Sequence, residues 1–160
     1  MYKRQGKTIV FTTIIKQLFE RDPDCRILIL AHRQELISQA KDKLLSVWPC
    51  APCGILAAGL KEFDDVSPVV IASRDTLATP KRLENTTHFD YIIVDEAHHV
   101  GLEKASRYQK IFNHFNVTQH YAPKIFGVTA TPYRMGQGFI YGLGDEFFGG
   151  VSYQIGIPQL

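Results

Sequence analysis

The chain has 160 residues, 45% hydrophobic and 21% charged, enough apolar material for the core of one globular domain. Eighteen Lys plus Arg against sixteen Asp plus Glu leave a net charge of +2, so no basic stripe argues for nucleic-acid binding by bulk electrostatics. No apolar run approaches the length needed to span a membrane, and the N-terminus lacks the long apolar stretch of a secretion signal.

In chain order, Gly6-Lys7-Thr8 opens a predicted helix carrying Val10, Ile14 and Leu18. The triplet matches the last three positions of a phosphate-binding loop, where amides at a helix start hold phosphate oxygens. Lys7 would reach the outer phosphates and the Thr8 hydroxyl would ligate magnesium. Three residues make a short motif that also arises by chance, so its weight depends on the carboxylates further along the chain.

The run Ile27-Leu28-Ile29-Leu30-Ala31 ends in His32-Arg33, and a helix comes next with Ile37, Ala40, Leu44 and Trp48 on one face. Cys50-Ala-Pro-Cys53 has the spacing of a redox pair, but Cys50 follows a helix end and lacks the helix N-terminus that would lower its pKa. Only Cys25 remains as a further thiol, too few for a zinc site of four cysteines. Structural or incidental thiols in a reducing cytoplasm are the expectation.

Val69-Val70-Ile71-Ala72 runs into Ser73-Arg74, and Tyr91-Ile92-Ile93-Val94 into Asp95-Glu96-Ala97-His98. A buried strand needs no acid at its end for folding, so the adjacent carboxylates point to metal or proton chemistry. A solvated turn or a helix cap is the alternative reading of the same pair. After Glu103, Tyr108, Ile111, Phe112 and Phe115 are spaced for one helix face. Ile125-Phe126-Gly127-Val128 then runs into Thr129-Ala130-Thr131. Gly136 to Gly150 is glycine-rich and is predicted to be a surface loop, with a strand after it over Val151-Ser152-Tyr153-Gln154-Ile155 leading to Pro158.

Continuous aliphatic runs suit strands covered on both faces, and the alternation of strand and helix predicts an α/β domain with a mainly parallel sheet. The C-terminal ends of parallel strands share one side of the sheet. The polar clusters after each run therefore converge on one crevice, which isolated strand-ending polar residues would not explain.

Gly6-Lys7-Thr8, Ala31-His32-Arg33-Gln34-Glu35-Leu36, Asp95-Glu96-Ala97-His98 and Thr129-Ala130-Thr131-Pro132-Tyr133-Arg134 resemble, in order, motifs I, Ia, II and III of the DEAH-box superfamily 2 helicases. The likeness spans nearly the whole chain. Ala57-Ala58-Gly59-Leu60-Lys61 and Pro132-Tyr133-Arg134-Met135-Gly136-Gln137-Gly138 resemble the branch of RadD-type helicases and type III restriction subunits. The resemblance implies a RecA-like P-loop domain, the nucleotide-binding half of an ATP-dependent helicase or translocase. Its track would be DNA, with RNA still open, and it would work against a second RecA-like domain of the same parent chain.

The resemblance also implies roles. Gly6, Lys7 and Thr8 would bind ATP phosphates, with Thr8 and Asp95 holding Mg2+ partly through water, and Glu96 would orient or deprotonate the attacking water. His98, Thr129 and Thr131 would couple this site to nucleic acid, although a His that caps a turn and Thr after a strand are also ordinary structural residues. Arg33, Gln39, Ser73, Arg74 and Thr76 match positions that touch the sugar-phosphate backbone, contacts without sequence preference. A degenerate, non-catalytic nucleic-acid-binding module is the alternative, and a redox protein built on the thiols is the third class.

The first residues depart from the family. Arg4 stands where the loop has an earlier glycine and Lys3 where it has threonine, and a Cβ there is penalised if φ is positive. Residues 1–5 fit no family position. Tyr2-Lys3-Arg4-Gln5 is what one frame of a common sequencing-library transposon end encodes, and the expectation is that 1–5 is a non-native scar joined to a truncated gene. On this expectation the first strand, interior to the sheet in relatives, is missing, unpaired edges result, and the isolated chain is poorly stable and inactive or weak.

Overall fold

The computed structural model describes residues 5–101, 106–118, 121–134, 138–142 and 148–152; the side chains of 5–8, 117 and 118 lie outside that description. Helix α1 (Gln5–Arg21) is followed by β1 (Ile27–Ala31), α2 (Gln34–Val47) and β2 (Cys53–Ala57). A 3-10 turn at Ala58–Leu60 leads to the short strand β3 (Glu62–Phe63), then β4 (Val69–Ser73), α3 (Arg74–Leu77) and α4 (Pro80–Asn85). Strand β5 (Tyr91–Asp95), a 3-10 turn at Ala97–His99, α5 (Arg107–Thr118) and β6 (Lys124–Val128) come next, and β7 (Tyr133–Arg134) pairs with β8 (Gly138–Phe139) in a separate hairpin.

The main sheet has the order β3-β2-β4-β1-β5-β6, parallel throughout except for the antiparallel edge strand β3. Ile29 lies opposite Ile71 on one side and Ile93 on the other, so three β-branched residues line up across the sheet centre. Because successive side chains point to opposite faces, the unbroken apolar runs supply two cores. Leu28, Leu30, Val70, Ala72, Ile92 and Val94 pack with Tyr108, Ile111, Phe112 and Phe115 of α5. Ile27, Ile29, Ala31, Val69, Ile71 and Ile93 pack with Ile37, Ala40 and Leu44 of α2 and Phe11 and Ile15 of α1. The α2 and α5 faces are those expected from the helical spacing.

Helix α1 forms where predicted but turns a different face inward. Phe11, Thr12 and Ile15 are buried, while Val10 and Ile14 are 39% and 40% exposed and Leu18 is half-buried. Both rows have helical spacing. The Phe11 row wins because it continues through Phe19, whose ring meets Trp48 at 5.1 Å and ties α1 to the end of α2.

Strand β2 is not among the predicted strands, although Gly54-Ile55-Leu56-Ala57 is a buried apolar run. The glycine-rich stretch is not wholly a surface loop: Gly138–Phe139 forms β8, Ile140 is buried, and Phe148 packs against the α5-side core. Of the expected strand over Val151 to Ile155, only Val151 and Ser152 are described, and neither is in a strand. Among the described residues the sheet has no interior gap. It ends at β6, which leaves Phe126 41% exposed. No helix of the described residues is long and apolar enough to cross a membrane.

Candidate functional site

The parallel register brings the strand ends together. Ala31 pairs with Ser73, and Asp95 pairs with Val128, so the polar residues after β1, β4, β5 and β6 emerge along one edge of the sheet. Asp95 is half-buried, and its Oδ1 accepts the Glu96 amide proton at 2.9 Å. Glu96 itself adopts left-handed backbone angles, φ 51° and ψ 54°, rare for a residue with a Cβ. That conformation costs on the order of 1 kcal/mol and is met at sites where geometry outranks stability. It reverses the chain into the 3-10 turn, which His99 N–H closes onto Glu96 O at 2.9 Å.

The turn presents His98 to two partners. Its Nδ1 lies 2.8 Å from the Thr129 hydroxyl and 3.4 Å from Glu96 Oε2. The Thr131 amide donates to Thr129 Oγ1 at 3.1 Å, and the Thr131 carbonyl lies 3.1 Å from the same hydroxyl. Thr129 has one proton to give. With Nδ1 unprotonated, that proton serves either His98 or Thr131 O; with Nδ1 protonated, the ring donates to Thr129 and the hydroxyl is left to donate to Thr131 O. Thr131 enters this network through its backbone. Arg134 Nε donates to the His98 carbonyl at 3.1 Å, and its buried Nη2 has no hydrogen-bond partner among the described residues.

A second group lies at the ends of β1 and β4. His32, directly after β1, is in ring contact with His99, with centroids 4.1 Å apart, and His99 is in ring contact with His98 at 4.2 Å. Burial, then the neighbouring His99, Arg33 and Arg74, push the His32 pKa down to about 4. Burial and His98 also lower that of His99. Burial holds the Tyr108 phenol up at about 12, with the Arg74 guanidinium 5.2 Å from its ring centroid.

The residues expected to hold nucleic acid are spread along this edge. Arg33 is exposed at the α2 N-cap position and Gln39 is exposed on α2. Ser73 Oγ caps α3 by accepting the Thr76 amide at 3.4 Å, and Thr76 Oγ1 accepts the Ala58 amide at 3.0 Å. Both hydroxyls keep a proton to donate. Arg74 Nε pairs with Asp75 at 2.8 Å, and Arg107 meets the same carboxylate oxygen at 2.6 Å. Half of that positive charge is therefore already neutralised locally.

Gly6, Lys7 and Thr8 lie in the first turns of α1, and their side chains are outside the described residues. Met1 to Arg4 are not described either. Asp95 suits magnesium, a hard cation that keeps several waters and needs one or two carboxylates from the protein. Cys25, Cys50 and Cys53 are all free. Burial lifts the pKa of Cys53, and that of Cys25 to about 11, the reverse of what a reactive thiolate needs.

His32, His99 and Arg134 do not stand out as site residues in the sequence, although each is adjacent to or within a motif. Their partners lie in the turns after other strands, so only the β1–β5–β6 register reveals them.

The family described as type III restriction enzyme, res subunit, matches residues 5–134. The chain is 35% identical over 133 residues to the putative ATP-dependent helicase IRC3 of Saccharomyces cerevisiae, covering 79% of the chain and 19% of that protein. Among solved structures, the UvsW helicase of bacteriophage T4 superposes with a TM-score of 0.60 at 18% identity, over 79% of this chain and 44% of that one. The Type ISP restriction-modification enzyme LlaGI, solved with a DNA substrate mimic, gives 0.58 at 17% identity, over 84% of this chain and 15% of that one. The SWI2/SNF2 ATPase core of Sulfolobus solfataricus, solved with double-stranded DNA, gives 0.56 at 16% identity, over 79% of this chain and 26% of that one. The chain thus spans about a fifth of the curated relative and less than half of each of these solved chains.

Proposed function

The chain belongs to the type III restriction enzyme res subunit family and has the RecA-like fold of superfamily 2 helicases, and on that footing we propose that it is the nucleotide-binding half of an ATP-dependent DNA helicase or translocase. The observation that carries the reading is the Glu96–His98–Thr129 network at the ends of β5 and β6. An ordinary solvated turn has no need of a left-handed Glu wired to the next strand.

On this reading Lys7 and the amides at the start of α1 bind the outer phosphates of ATP. Thr8 and Asp95 would hold magnesium, which would supply positive charge against the transferred phosphoryl group. Asp95 keeps one carboxylate oxygen on the Glu96 amide, which fixes its rotamer at the strand end. Glu96 positions the attacking water and takes its proton. The His98 ring, held by the Thr129 hydroxyl, in turn limits where the Glu96 carboxylate can sit.

Arg33, Gln39, Ser73, Arg74 and Thr76 contact the sugar-phosphate backbone, and Thr129, Thr131 and His98 pass its occupancy to the nucleotide site. With a net charge of +2 the grip is local and weak, and affinity falls as salt is added. A second RecA-like domain completes the nucleotide site, and the free thiols accord with a cytoplasmic location.

The test is nucleic-acid-stimulated ATP hydrolysis by the full-length protein that carries this domain, compared with its Glu96→Gln variant. Turnover that requires Mg2+, rises with DNA and is lost in the variant supports the reading. Turnover unchanged by Glu96→Gln, or DNA binding with no hydrolysis by the parent protein, would favour a non-catalytic binding module.

A further inference from the structure

The nucleotide-side residues Glu96 and His98 and the track-side cations Arg33 and Arg74 are joined by a physical bridge of two imidazoles to which no role has been assigned. His98 contacts Glu96, His99 lies against His98, and His32 lies against His99, with ring centroids 4.2 Å and 4.1 Å apart along the run. His32 is the residue before Arg33, the N-cap position of α2, so any displacement of that turn moves the last ring directly.

We propose that His99 is a positioning residue that transmits nucleic-acid occupancy of the β1–α2 turn, through ring contact between His32 and His98, to the catalytic Glu96. The proposal deepens the helicase reading and rests on it.

Five features fit transmission better than simple packing. The middle ring is exposed rather than part of a core, and its ring contacts among the described residues are with His32 and His98. The rings meet in tilted contact, at 53° and 42°, rather than in interlocked packing. His32 Nδ1 is buried with no hydrogen-bond partner among the described residues, so no hydrogen bond from that atom pins the ring. Arg33, Arg74 and Glu96 all influence His32 and His99 electrostatically, which places the run between the carboxylate and the cations. The lowered pKa values keep both rings neutral at physiological pH, and neutral rings tolerate centroid distances near 4 Å that imidazolium cations would resist. The run is a contiguous set of contacts of the kind that can carry energetic coupling between two sites.

The experiment measures steady-state ATP hydrolysis by the full-length protein against ATP and against DNA concentration, for wild type, His99→Ala and His99→Phe. The ring at this position is exposed, so folding should survive both changes, and a matching melting midpoint verifies it. His99→Ala should leave the DNA-free rate and KM for ATP within about twofold while lowering maximal stimulation by about tenfold, the scale of an ordinary coupling between sites. His99→Phe keeps a flat ring and should restore most of the stimulation. Equal losses of basal and stimulated rate, no loss in His99→Ala, or no rescue by His99→Phe would overturn the inference. A wild-type protein whose hydrolysis DNA does not stimulate would instead defeat the helicase reading on which it rests.

Discussion

A Cβ placed on Gly127 would fall 2.7 Å from the Cβ of Ala97, because β6 passes directly against the turn that comes after the acidic pair. Ala97 is fully buried there, and the Phe148 ring lies as close on the other side. The close approach lets Thr129, two residues further on, reach His98. Gly127→Val should push β6 away from the turn, destabilise the domain by about 1–3 kcal/mol and lower ATP turnover. Urea unfolding of the variant beside wild type measures the first effect; an unchanged midpoint would show that β6 can move at no cost.

On the proposed function, the left-handed backbone of Glu96 sets stability against activity. Glu96→Gly removes the Cβ penalty and should raise the unfolding free energy by up to about 1 kcal/mol, while removing the carboxylate abolishes hydrolysis. Thermal melts together with ATPase assays test this opposition. A variant that is both less stable and inactive would mean that the His98–Glu96 contact outweighs the strain.

Thr129 Oγ1 accepts the Thr131 amide and contacts His98 Nδ1, so Thr129→Val orphans two polar groups at once. A loss of roughly 1–3 kcal/mol is expected, with Thr129→Ser close to wild type. A double-mutant cycle with His98→Ala separates the two bonds: non-additive losses report the His98–Thr129 interaction, and strict additivity would place the whole effect in the Thr131 turn.

Stability should also depend on pH through the histidines. The folded-state pKa of His32 is pushed down to about 4 from the usual 6.5, and that of His99 is lowered too, so the unfolded chain binds more protons in that interval. The contribution is fully present above 6.5 and is lost as pH falls toward 4. Asp64 and Asp75, whose pKa values are lowered, withdraw stability only at more acid pH, so the two ranges are separable. Melting midpoints at pH 7.5 and 5.0 should differ, and His32→Phe should narrow the difference; a gap unchanged in the variant assigns the protons elsewhere.

The chain's thiols are expected to be dispensable. Iodoacetamide should label exposed Cys50 first and buried Cys25 only on unfolding, with DNA-stimulated hydrolysis retained by the alkylated protein. Loss of activity on labelling Cys50 alone would reopen a role for the pair with Cys53.

Local sequence determined the main strands and the two large helix faces, because a buried parallel strand must be apolar on both sides and a packed helix must repeat its apolar residues every turn. Ile27–Ala31, Val69–Ser73 and Tyr91–Asp95 could scarcely be anything else, and the polar residues after them had to gather on one side. Tertiary structure decided what local pattern leaves degenerate. Helix α1 offers two apolar rows, and the ring contact of Phe19 with Trp48 accompanies burial of the Phe11 row. Ile140 and Phe148 sit among glycines that read as loop, yet they cover the α5-side core. The bond from His98 to Thr129, and the contact of His99 with His32, join residues that follow different strands. Their meeting depends on strand order and register, which no single segment specifies because both are settled by all the strands packing at once.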